Sequence, residues 1–343
     1  MWNSVGIIAN PRSGSDIRRL VAYGAGIDNQ FKVNIIARAL IALAHLGISC
    51  IQYMPDEYAI VPRALNCLTS DDRHLLDQVE VRPIDMPVQY EEADSTYCAQ
   101  KMRGEVGCIL VLGGDGTNRA VAKECGETPL ISISTGTNNV FPDLIEGTVA
   151  GMAAALYCRL PRETAKNFIC PSKRIEIFRD DKLIDIALID LVKSENINLG
   201  SRAVWSIKEV RQIVVTSCCA WNIGMTSIPA QIQHISPRDN NGMEVMLDKE
   251  KQMFRIPFAP GLMPLVGFES HQIVSINERM EILPGPGSLA LDGERLISMK
   301  KTDKLYYCIT WDGPYKIDVH KLLQTCAGTK LMQTSDGSGD NLT

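Results

Sequence analysis

The chain has 343 residues, of which 45% are hydrophobic and 22% are charged, and its formal net charge is −5 at pH 7. This length exceeds what one hydrophobic core usually organises, so it predicts two domains of ordinary globular composition. The acidic balance and the scattered basic residues exclude nucleic acid as a default partner.

The sequence gives no sign of a secreted, metal-binding or membrane-spanning chain. Its eleven cysteines form no Cys-x-x-Cys pair, which predicts reduced thiols in a cytoplasmic protein. The five histidines lack the spacing of metal ligands, so no resident metal site is predicted. The longest apolar helical stretch, residues 35–46, is interrupted by Arg38, and we therefore expect neither a signal peptide nor a membrane span.

The chain opens on a short buried strand, Val5–Ala9, which ends in the turn-rich segment Asn10-Pro11-Arg12-Ser13-Gly14. One interpretation of this turn is a plain strand-to-helix loop. Polar loops at the end of a first parallel strand, however, often face the ligand crevice, so Asn10 and Ser13 are candidate nucleotide contacts. The helix predicted next, residues 29–46, has apolar residues at helical spacing and ends at Gly47.

Strands and helices alternate through the rest of the first half of the chain. The predicted strands are 48–54, 79–84, 109–112 and 130–134, and the predicted helices are 56–68, 95–103 with Asp94 as its cap, 117–123 and 143–157. This alternation predicts an α/β N-terminal domain over residues 1–158, with a parallel Rossmann-like sheet covered by helices on both faces. Ligands of such sheets bind at the carboxyl ends of the strands.

A glycine-rich loop follows the predicted strand 109–112. Such a turn directs backbone N–H groups and the positive end of the helix dipole at its crest, and this forms an anion site. The candidate phosphate-binding residues are Gly113, Gly114, Gly116, Thr117 and Asn118. Asp115 would repel phosphates unless it holds a cation or takes a proton from the group being phosphorylated, and either role indicates phosphoryl transfer. The alternative interpretation is that the glycines serve only the turn itself.

A second polar loop, residues 135–142, comes after the next predicted strand. Its Gly136-Thr137-Asn138-Asn139 turn offers a backbone donor, a hydroxyl and two amides, which suit ribose hydroxyls or the edge of an adenine. In isolation such a turn is better explained as the cap of the following helix. Because it lies one strand after the glycine loop, we interpret its residues as nucleotide contacts.

The second half of the chain has a different pattern. Residues 158–173, with Pro161 and Pro171, are predicted to be a linker. Strands are predicted at 174–178, 185–192, 212–219, 272–283, 288–291, 295–299 and 305–310, with a weakly helical segment at 206–213. They predict an all-β sandwich domain over residues 172–312. Residues 313–333 are expected to supply a strand or helix that returns to the first domain, and residues 334–343 a disordered tail.

Two features of this second half bear on function. Asp292-Gly293 between two predicted strands is a signal for a type I′ hairpin turn, and the next residue, Glu294, could position magnesium or an acceptor hydroxyl. The structural and the functional interpretation of this segment both stay open. The apolar stretch 256–266 is expected to pack in the sandwich or, if exposed, to dock on a membrane.

Several of these motifs resemble one enzyme superfamily. The string Gly113-Gly114-Asp115-Gly116-Thr117 is similar to the signature shared by NAD kinases, diacylglycerol and sphingosine kinases and phosphofructokinases. Residues 8–19, residues 134–139 and Leu291-Asp292-Gly293-Glu294 extend the resemblance to NAD-kinase-type proteins of the acetoin catabolism protein X branch.

This resemblance implies a fold and an activity. It implies an α/β nucleotide-binding domain followed by a β-sandwich, ATP with Mg²⁺ as phosphoryl donor, and a homo-oligomer, either a dimer or a tetramer. Asp115 matches the proposed general base of the family. Lipid kinases of the superfamily return an acidic side chain to the active cleft from a late hairpin, and Glu294 matches that residue.

One segment departs from the resemblance. NAD kinases place an Asn-Glu pair that holds riboses at the start of the second domain, whereas the nearest candidate here has Ile189 and Asp190. An isoleucine side chain cannot hydrogen-bond a ribose, so the acceptor stays open. The leading hypothesis is an ATP- and Mg²⁺-dependent kinase acting on a hydroxyl of NAD(H) or another small metabolite. The alternatives are a diacylglycerol-type lipid kinase and a non-catalytic nucleotide-binding accessory or sensor protein.

Overall fold

The computed structural model describes residues 2–14, 27–136, 138–197, 207–248, 250–251 and 254–332. Thr137, residues 16–19 of the opening motif and the tail 334–343 lie outside the described residues. The helices are α1 (Asn29–His45), α2 (Ile60–Asn66), α3 (Ser70–Leu76), α4 (Glu92–Met102), α5 (Asp115–Ala122), α6 (Gly147–Arg159), α7 (Arg162–Ala165) and α8 (Val319–Cys326).

The strands alternate with helices in the first half of the chain and follow one another in the second. They are β1 (Ser4–Ala9), β2 (Cys50–Tyr53), β3 (Glu80–Pro83), β4 (Cys108–Gly113), β5 (Leu130–Ser134), β6 (Ile169–Cys170), β7 (Arg174–Arg179), β8 (Lys182–Ala187), β9 (Asp190–Ser194), β10 (Val210–Val215), β11 (Asn241–Asp248), β12 (Phe254–Arg255), β13 (Leu265–Ser275), β14 (Arg279–Glu281), β15 (Gly287–Leu291), β16 (Glu294–Met299), β17 (Leu305–Thr310) and β18 (Lys316–Ile317).

The first sheet confirms the predicted parallel α/β domain. Its strand order is β3-β2-β1-β4-β5-β18-β6, and β1 to β5 are all parallel to their neighbours. Every residue of β4 is buried, as expected for a central strand covered on both faces. The order of the strands along the chain reverses between β1 and β4. In open α/β sheets that reversal opens a crevice at the carboxyl ends of the strands, where ligands bind.

Helices α1 and α6 cover one face of this sheet and pack closely on each other. A β-carbon on Gly147 would lie 2.4 Å from the carbonyl oxygen of Ile35, and one on Gly151 would lie 2.5 Å from that of Ala39. The two helices therefore approach at glycines, and the predicted apolar face of α1 is buried between α6 and the sheet. This packing fixes the start of α1 beside the loop that follows β1.

The second half forms an antiparallel β-sandwich, which confirms the predicted fold class. One sheet has the order β12-β13-β11-β10-β9-β15-β16 and the other β14-β17-β7-β8. Apolar side chains from both sheets, among them Ile175, Val214, Leu289 and Tyr307, meet in one core. After the sandwich the chain returns to the first sheet, where Lys316 of β18 pairs with Leu130 of β5 and α8 packs near α6.

The helix boundaries differ from the sequence predictions at several places. The helix predicted at 95–103 begins at Glu92, and Asp94 is not its cap, because its carboxylate accepts the N–H groups of Gln89 and Tyr90 in the preceding turn. The helix predicted at 143–157 begins at Gly147 because Glu146 caps it. The residues before it pair with β5 instead, through a bridge from Asp143 to Ile133.

Other predicted segments are shorter or are divided. The helix predicted at 56–68 is reduced to α2, because Asp56 accepts the N–H groups of Tyr58 and Ile60 before the helix starts. The predicted linker 158–173 contains α7 and also β6, which pairs with β18. The strand predicted at 185–192 is two strands, β8 and β9, because the chain bends at Leu188 and Ile189 around the carboxylate of Asp292. The strands β11 and β12 were not predicted.

Candidate functional site

Three loops meet at the carboxyl ends of the neighbouring strands β1, β4 and β5. The side-chain amide of Asn10 donates to Thr117 Oγ1 at 2.9 Å, and Ser13 Oγ donates to the carbonyl of Asn10 at 2.7 Å. Thr135 Oγ1 donates to Ser13 Oγ at 2.9 Å. The predicted contacts Asn10, Ser13 and Thr117 thus belong to one hydrogen-bonded group that joins all three loops.

A lysine that the sequence analysis missed holds the first loop, the one that follows β1. The Lys32 side chain is fully buried, and its ammonium donates to the carbonyls of Asn10 at 3.1 Å, Pro11 at 2.8 Å and Ser13 at 2.7 Å. A buried ammonium needs such acceptors, because burial of an unpaired charge is costly. The available signal was its position, four residues before Ile36 on the buried face of α1.

The glycines of the second loop serve different purposes. A β-carbon on Gly113 would lie 2.5 Å from Thr117 Cβ, and one on Gly114 would lie 2.8 Å from Asn139 Oδ1. Close packing therefore requires a glycine at position 113, whereas at position 114 the contact is with the end of the partly exposed Asn139 side chain. The nearest atom to a β-carbon on Gly116 is Glu294 Oε1 at 3.4 Å, which is an ordinary contact distance. Packing alone does not require a glycine at position 116.

Asp115 is the first residue of α5 and is hydrogen-bonded to the third loop, residues 135–142. Its carboxylate accepts the N–H groups of Val140, at 3.1 Å, and Phe141, at 2.8 Å. Asn139 Nδ2 donates to Ser134 Oγ at 2.9 Å, and a β-carbon on Gly136 would lie 3.2 Å from the same Asn139 nitrogen. The third loop therefore lies across the start of α5, with Asn138 and Asn139 partly exposed.

Asn118 lies behind the glycine loop. Its side chain is fully buried, its Oδ1 accepts from Ser132 Oγ at 2.6 Å, and its Nδ2 donates to the carbonyl of Gly114 at 2.9 Å. Both ends of the amide thus hold the loop to β5. Asn118 therefore faces the interior, and Gly113 and Thr117, which were also assigned to phosphate binding, are buried as well.

The predicted hairpin brings an acidic residue to the glycine loop from the second domain. Asp292 and Gly293 join β15 to β16 with φ values of 50° and 83°, as in a type I′ turn. Glu294 follows the turn, is partly exposed and lies against Gly116. The structure therefore brings the two predicted catalytic residues, Asp115 and Glu294, to adjacent positions on either side of the interface between the domains.

Asp292 itself is buried, and the sequence analysis assigned it to the hairpin turn but not to the site. Its carboxylate accepts the N–H groups of Leu188, Ile189 and Asp190 at 2.8 to 3.2 Å. Burial raises the pKa of Asp292 to about 6, although Arg119 and the backbone donors act in the opposite direction. The turn is thereby held to the bend between β8 and β9.

Arg119, one turn of α5 after Asp115, forms an ionic cluster that joins the two domains. Its guanidinium lies 2.7 Å from Glu92, 3.5 Å from Asp185 and 3.8 Å from Asp292. Burial alone would lower the pKa of Arg119, but the carboxylates of Glu92, Asp292 and Asp185 outweigh it and raise the pKa. Lys123 contacts Glu92 at 3.1 Å and Asp185 at 2.9 Å. We refer to these five residues as the Arg119 cluster.

The departure at Ile189 has a structural explanation. Ile189 and Leu188 are buried and pack with Phe141 in a small apolar cluster beside the third loop. The N–H groups of this bend are bonded to Asp292. In this part of the interface the second domain therefore contributes buried apolar side chains and no side-chain hydrogen-bonding group at positions 188 and 189.

Three further properties concern the described residues as a whole. No group of three or more His, Cys, Asp or Glu side chains there could hold a metal ion. In the same part of the chain, no helix has both the length and the apolar character needed to cross a membrane. All eleven cysteines lie within it, and each is a free thiol.

The first domain and the fold define the class of protein. The family model of the ATP-NAD kinase N-terminal domain matches residues 5–158. Yeast NADH kinase complexed with NADH is similar with a TM-score of 0.50 and 12% identity, over 99% of this chain and 89% of that chain. A diacylglycerol kinase from Bacillus anthracis str. Sterne gives a TM-score of 0.47 and 14% identity, over 92% and 97%. The chain thus has the fold of the NADH kinase, and its first domain is NAD kinase-like.

The second half of the chain and one relative that covers nearly all of it identify the protein family. The family model of the acetoin catabolism protein X C-terminal domain matches residues 173–312. Acetoin catabolism protein X of Cupriavidus necator is 34% identical over 343 residues, which cover 96% of this chain and 94% of that relative. The chain therefore belongs to the acetoin catabolism protein X family.

Proposed function

We propose that this protein is a kinase that transfers a phosphoryl group from ATP, with Mg²⁺, to a hydroxyl of NAD(H) or of another small metabolite. One observation carries the proposal. Asp115, Gly116 and Glu294 come together at the carboxyl end of β4, between the loops that follow β1 and β5. This is the position in a parallel sheet where phosphate-bearing ligands bind.

The first domain supplies the phosphate side of the site. The N–H groups at the start of α5 and the positive end of its dipole attract the phosphates of the donor. Gly116 has no side chain to obstruct an approaching phosphate, and a β-carbon built on it would lie 3.4 Å from the Glu294 carboxylate. Asn10, Ser13 and Thr117 hold the adjoining loop in one hydrogen-bonded arrangement, and Gly136, Thr137, Asn138 and Asn139 are assigned to the nucleoside.

Asp115 and Glu294 supply the acidic groups. Bound Mg²⁺ neutralises charge on the transferred phosphoryl, and it is typically held by one or two carboxylates together with the phosphates. The N–H groups of Val140 and Phe141 orient the Asp115 carboxylate. From that position Asp115 accepts the proton of the attacking hydroxyl, and Glu294 aligns the hydroxyl or the ion.

The family and the apolar contacts of the second domain suggest which phosphoryl acceptors to test first. The match to ATP-NAD kinases favours NAD(H), whereas the apolar cluster of Phe141, Leu188 and Ile189 favours an acceptor that needs few hydrogen bonds from the second domain. The apolar stretch 256–266 does not decide for or against a lipid acceptor: Ile256, Phe258 and Val266 are buried in the second domain, whereas Leu262, Met263 and Leu265 are exposed. A cytoplasmic location and self-association stay predictions of the sequence.

The test is a transfer assay from ATP with and without Mg²⁺ to a panel of NAD⁺, NADH, nucleosides, small polyols and diacylglycerol in vesicles. Wild type and Asp115→Asn are compared, because the substitution keeps the shape and an acceptor oxygen for Val140 and Phe141 while it removes the base. We expect one acceptor to be phosphorylated and the variant to lose at least about 100-fold in kcat.

Other outcomes are equally informative. Transfer to diacylglycerol alone would replace the proposal with a lipid kinase. Tight ATP binding by both proteins, with transfer to no acceptor in the panel, would replace it with a nucleotide-binding accessory protein. Equal rates for wild type and Asp115→Asn would contradict the role given to Asp115.

A further inference from the structure

The side chain of Arg119 is unusual because it is charged, fully buried and shared between the two domains. It extends from α5, the helix that begins at Asp115, and residues four apart on a helix lie on the same face. Its carboxylate partners come from three different elements: Glu92 from α4, Asp185 from β8 and Asp292 from the hairpin turn. One side chain thus connects the phosphate side of the proposed site to two parts of the sandwich.

Asp292 is the partner that matters for the site. On one side its carboxylate accepts the N–H groups at the bend between β8 and β9, and its own N–H donates to the carbonyl of Asp190 at 2.9 Å. On the other side it faces Arg119 Nε at 3.8 Å. Glu294 is two residues further along the same tight turn and lies against Gly116. The placement of Glu294 therefore depends on where the Asp292 turn is held.

The attachment between Arg119 and the hairpin is ionic. Among the described residues, Arg119 Nε and Nη1 have no hydrogen-bond partner, and their distances of 3.8 Å to Asp292 and 3.5 Å to Asp185 exceed hydrogen-bond length. Buried ions at such distances still attract strongly because the local dielectric constant is low. Loss of either ion leaves the other buried and uncompensated.

We infer that Arg119 is a positioning residue of this site: it holds the Asp292 turn to α5 and so sets Glu294 against Gly116. The inference rests on the proposed kinase function for its catalytic consequence. Arg119 does not touch the reacting groups in this arrangement. It fixes the distance between the phosphate loop of one domain and the acidic hairpin of the other, and a displacement of about 1 Å in such a site commonly costs about 100-fold in rate.

The chain offers a matched control. Lys123 lies one further turn on, at the end of α5, and contacts Glu92 and Asp185, two of the three carboxylates that Arg119 contacts, but among the described residues it forms no ion pair with Asp292. Arg119→Met and Lys123→Met each remove one positive charge from the Arg119 cluster. Only the first removes the link to the hairpin.

A double variant separates positioning from stability. Arg119→Met alone leaves Asp292 buried without its counter-ion, so it is expected to lower the melting temperature. Arg119→Met combined with Asp292→Asn removes both charges together and is expected to recover part of that loss. The link between α5 and the turn remains broken in the double variant, so its rate is expected to stay low.

The experiment measures kcat, KM for ATP, the Kd of MgATP, the melting temperature and amide hydrogen exchange for wild type and these variants. The acceptor is the one that wild type phosphorylates in the panel above. For Arg119→Met and the double variant we expect kcat to fall about 100-fold with the Kd of MgATP within about threefold of wild type. Lys123→Met is expected to keep kcat within about threefold. Faster exchange is expected at residues 188–190 and 292–294 in the Arg119 variants only.

Each outcome has a definite meaning. Recovery of kcat together with the melting temperature in the double variant would show that Arg119 serves stability alone and would overturn the inference. An equal loss of kcat in Lys123→Met would do the same. If wild type transfers to no acceptor, the proposed function fails. Hydrogen exchange then tests the link between Arg119 and the Asp292 turn without an activity assay. Unchanged exchange at residues 292–294 in Arg119→Met would contradict that link.

Discussion

At the scale of single residues, the glycine loop shows how one motif combines packing with ligand binding. Gly113 has no room for a β-carbon, because Thr117 lies within 3 Å of where it would be. Gly116 has that room, and its φ is not in the left-handed region. Packing and backbone conformation therefore do not explain the glycine at position 116, and under the proposed function a phosphate that approaches the main chain would explain it.

This reasoning predicts the behaviour of Gly116→Ala. Because the position is helical and uncrowded, alanine should leave the free energy of unfolding unchanged or raise it by up to about 1 kcal/mol. The methyl group should obstruct the phosphates and weaken MgATP binding at least about tenfold. Calorimetric titration and urea unfolding measure both quantities.

The contrasting variant is Gly113→Ala, whose β-carbon would lie 2.5 Å from Thr117 Cβ and should destabilise the fold. Unchanged MgATP affinity in a fully stable Gly116→Ala protein would contradict the assignment of this loop to phosphate.

At the scale of elements, α1 supports the site although it carries no predicted ligand contact. Its close packing on α6 fixes Lys32, whose ammonium collects the carbonyls of Asn10, Pro11 and Ser13. The loop after β1 is thus held by Lys32 in addition to its hydrogen bonds to Thr117 and Thr135. A helix that packs on one face of the sheet therefore sets the shape of a loop at its edge.

Lys32→Met tests this support. The substitution keeps the length of the side chain but leaves three carbonyls without their donor, so we expect the free energy of unfolding to fall by about 2 kcal/mol. MgATP affinity should also fall, because the first loop loses its fixed shape. Lys321→Met is the control. Lys321 lies on α8, is exposed and donates to a single carbonyl, that of Asn167. Wild-type MgATP affinity in Lys32→Met would mean that the loop keeps its shape without the ammonium.

Elements and loops whose cause lies in residues close to them in the sequence could be predicted. The strand 109–112, the glycine turn and the Asp292-Gly293 hairpin have local causes: apolar runs, glycine conformation and a two-residue turn. Lys32 and Arg119 could not be assigned, because their partners lie far along the chain and a charged residue on a helix is normally exposed. The bend at Leu188 was missed for the same reason, since the carboxylate that causes it belongs to Asp292.

At the scale of the whole molecule, the two domains meet through an ionic and an apolar contact on either side of the candidate site. The Arg119 cluster joins α5 to the sandwich, and Phe141 packs with Leu188 and Ile189 beside the third loop. Asp292 belongs to the first contact and holds the bend that carries the second. Its ionisation therefore affects the whole interface between the domains.

The pH dependence of stability tests this view of Asp292. Its pKa is raised from 3.8 to about 6 in the folded protein, mainly by burial, so the folded state binds the proton more tightly than the unfolded state. The contribution of Asp292 to stability is then complete below pH 3.8 and is lost as the pH rises through about 6. A shift of this size corresponds to about 3 kcal/mol. Arg119 stays charged throughout this range, and its attraction for the ionised Asp292 is already contained in the folded pKa of about 6.

Urea unfolding of wild type and Asp292→Asn at intervals from pH 4 to pH 7 measures the effect. The free energy of unfolding of wild type, relative to that of the variant, should decrease as the pH rises and level off above the folded pKa. Lys123→Met compared with wild type should give a nearly constant difference over the same range. A difference between wild type and Asp292→Asn that is flat, or that grows with pH, would mean that the buried carboxylate is ionised at low pH and that Arg119 and the three N–H donors fully offset its burial.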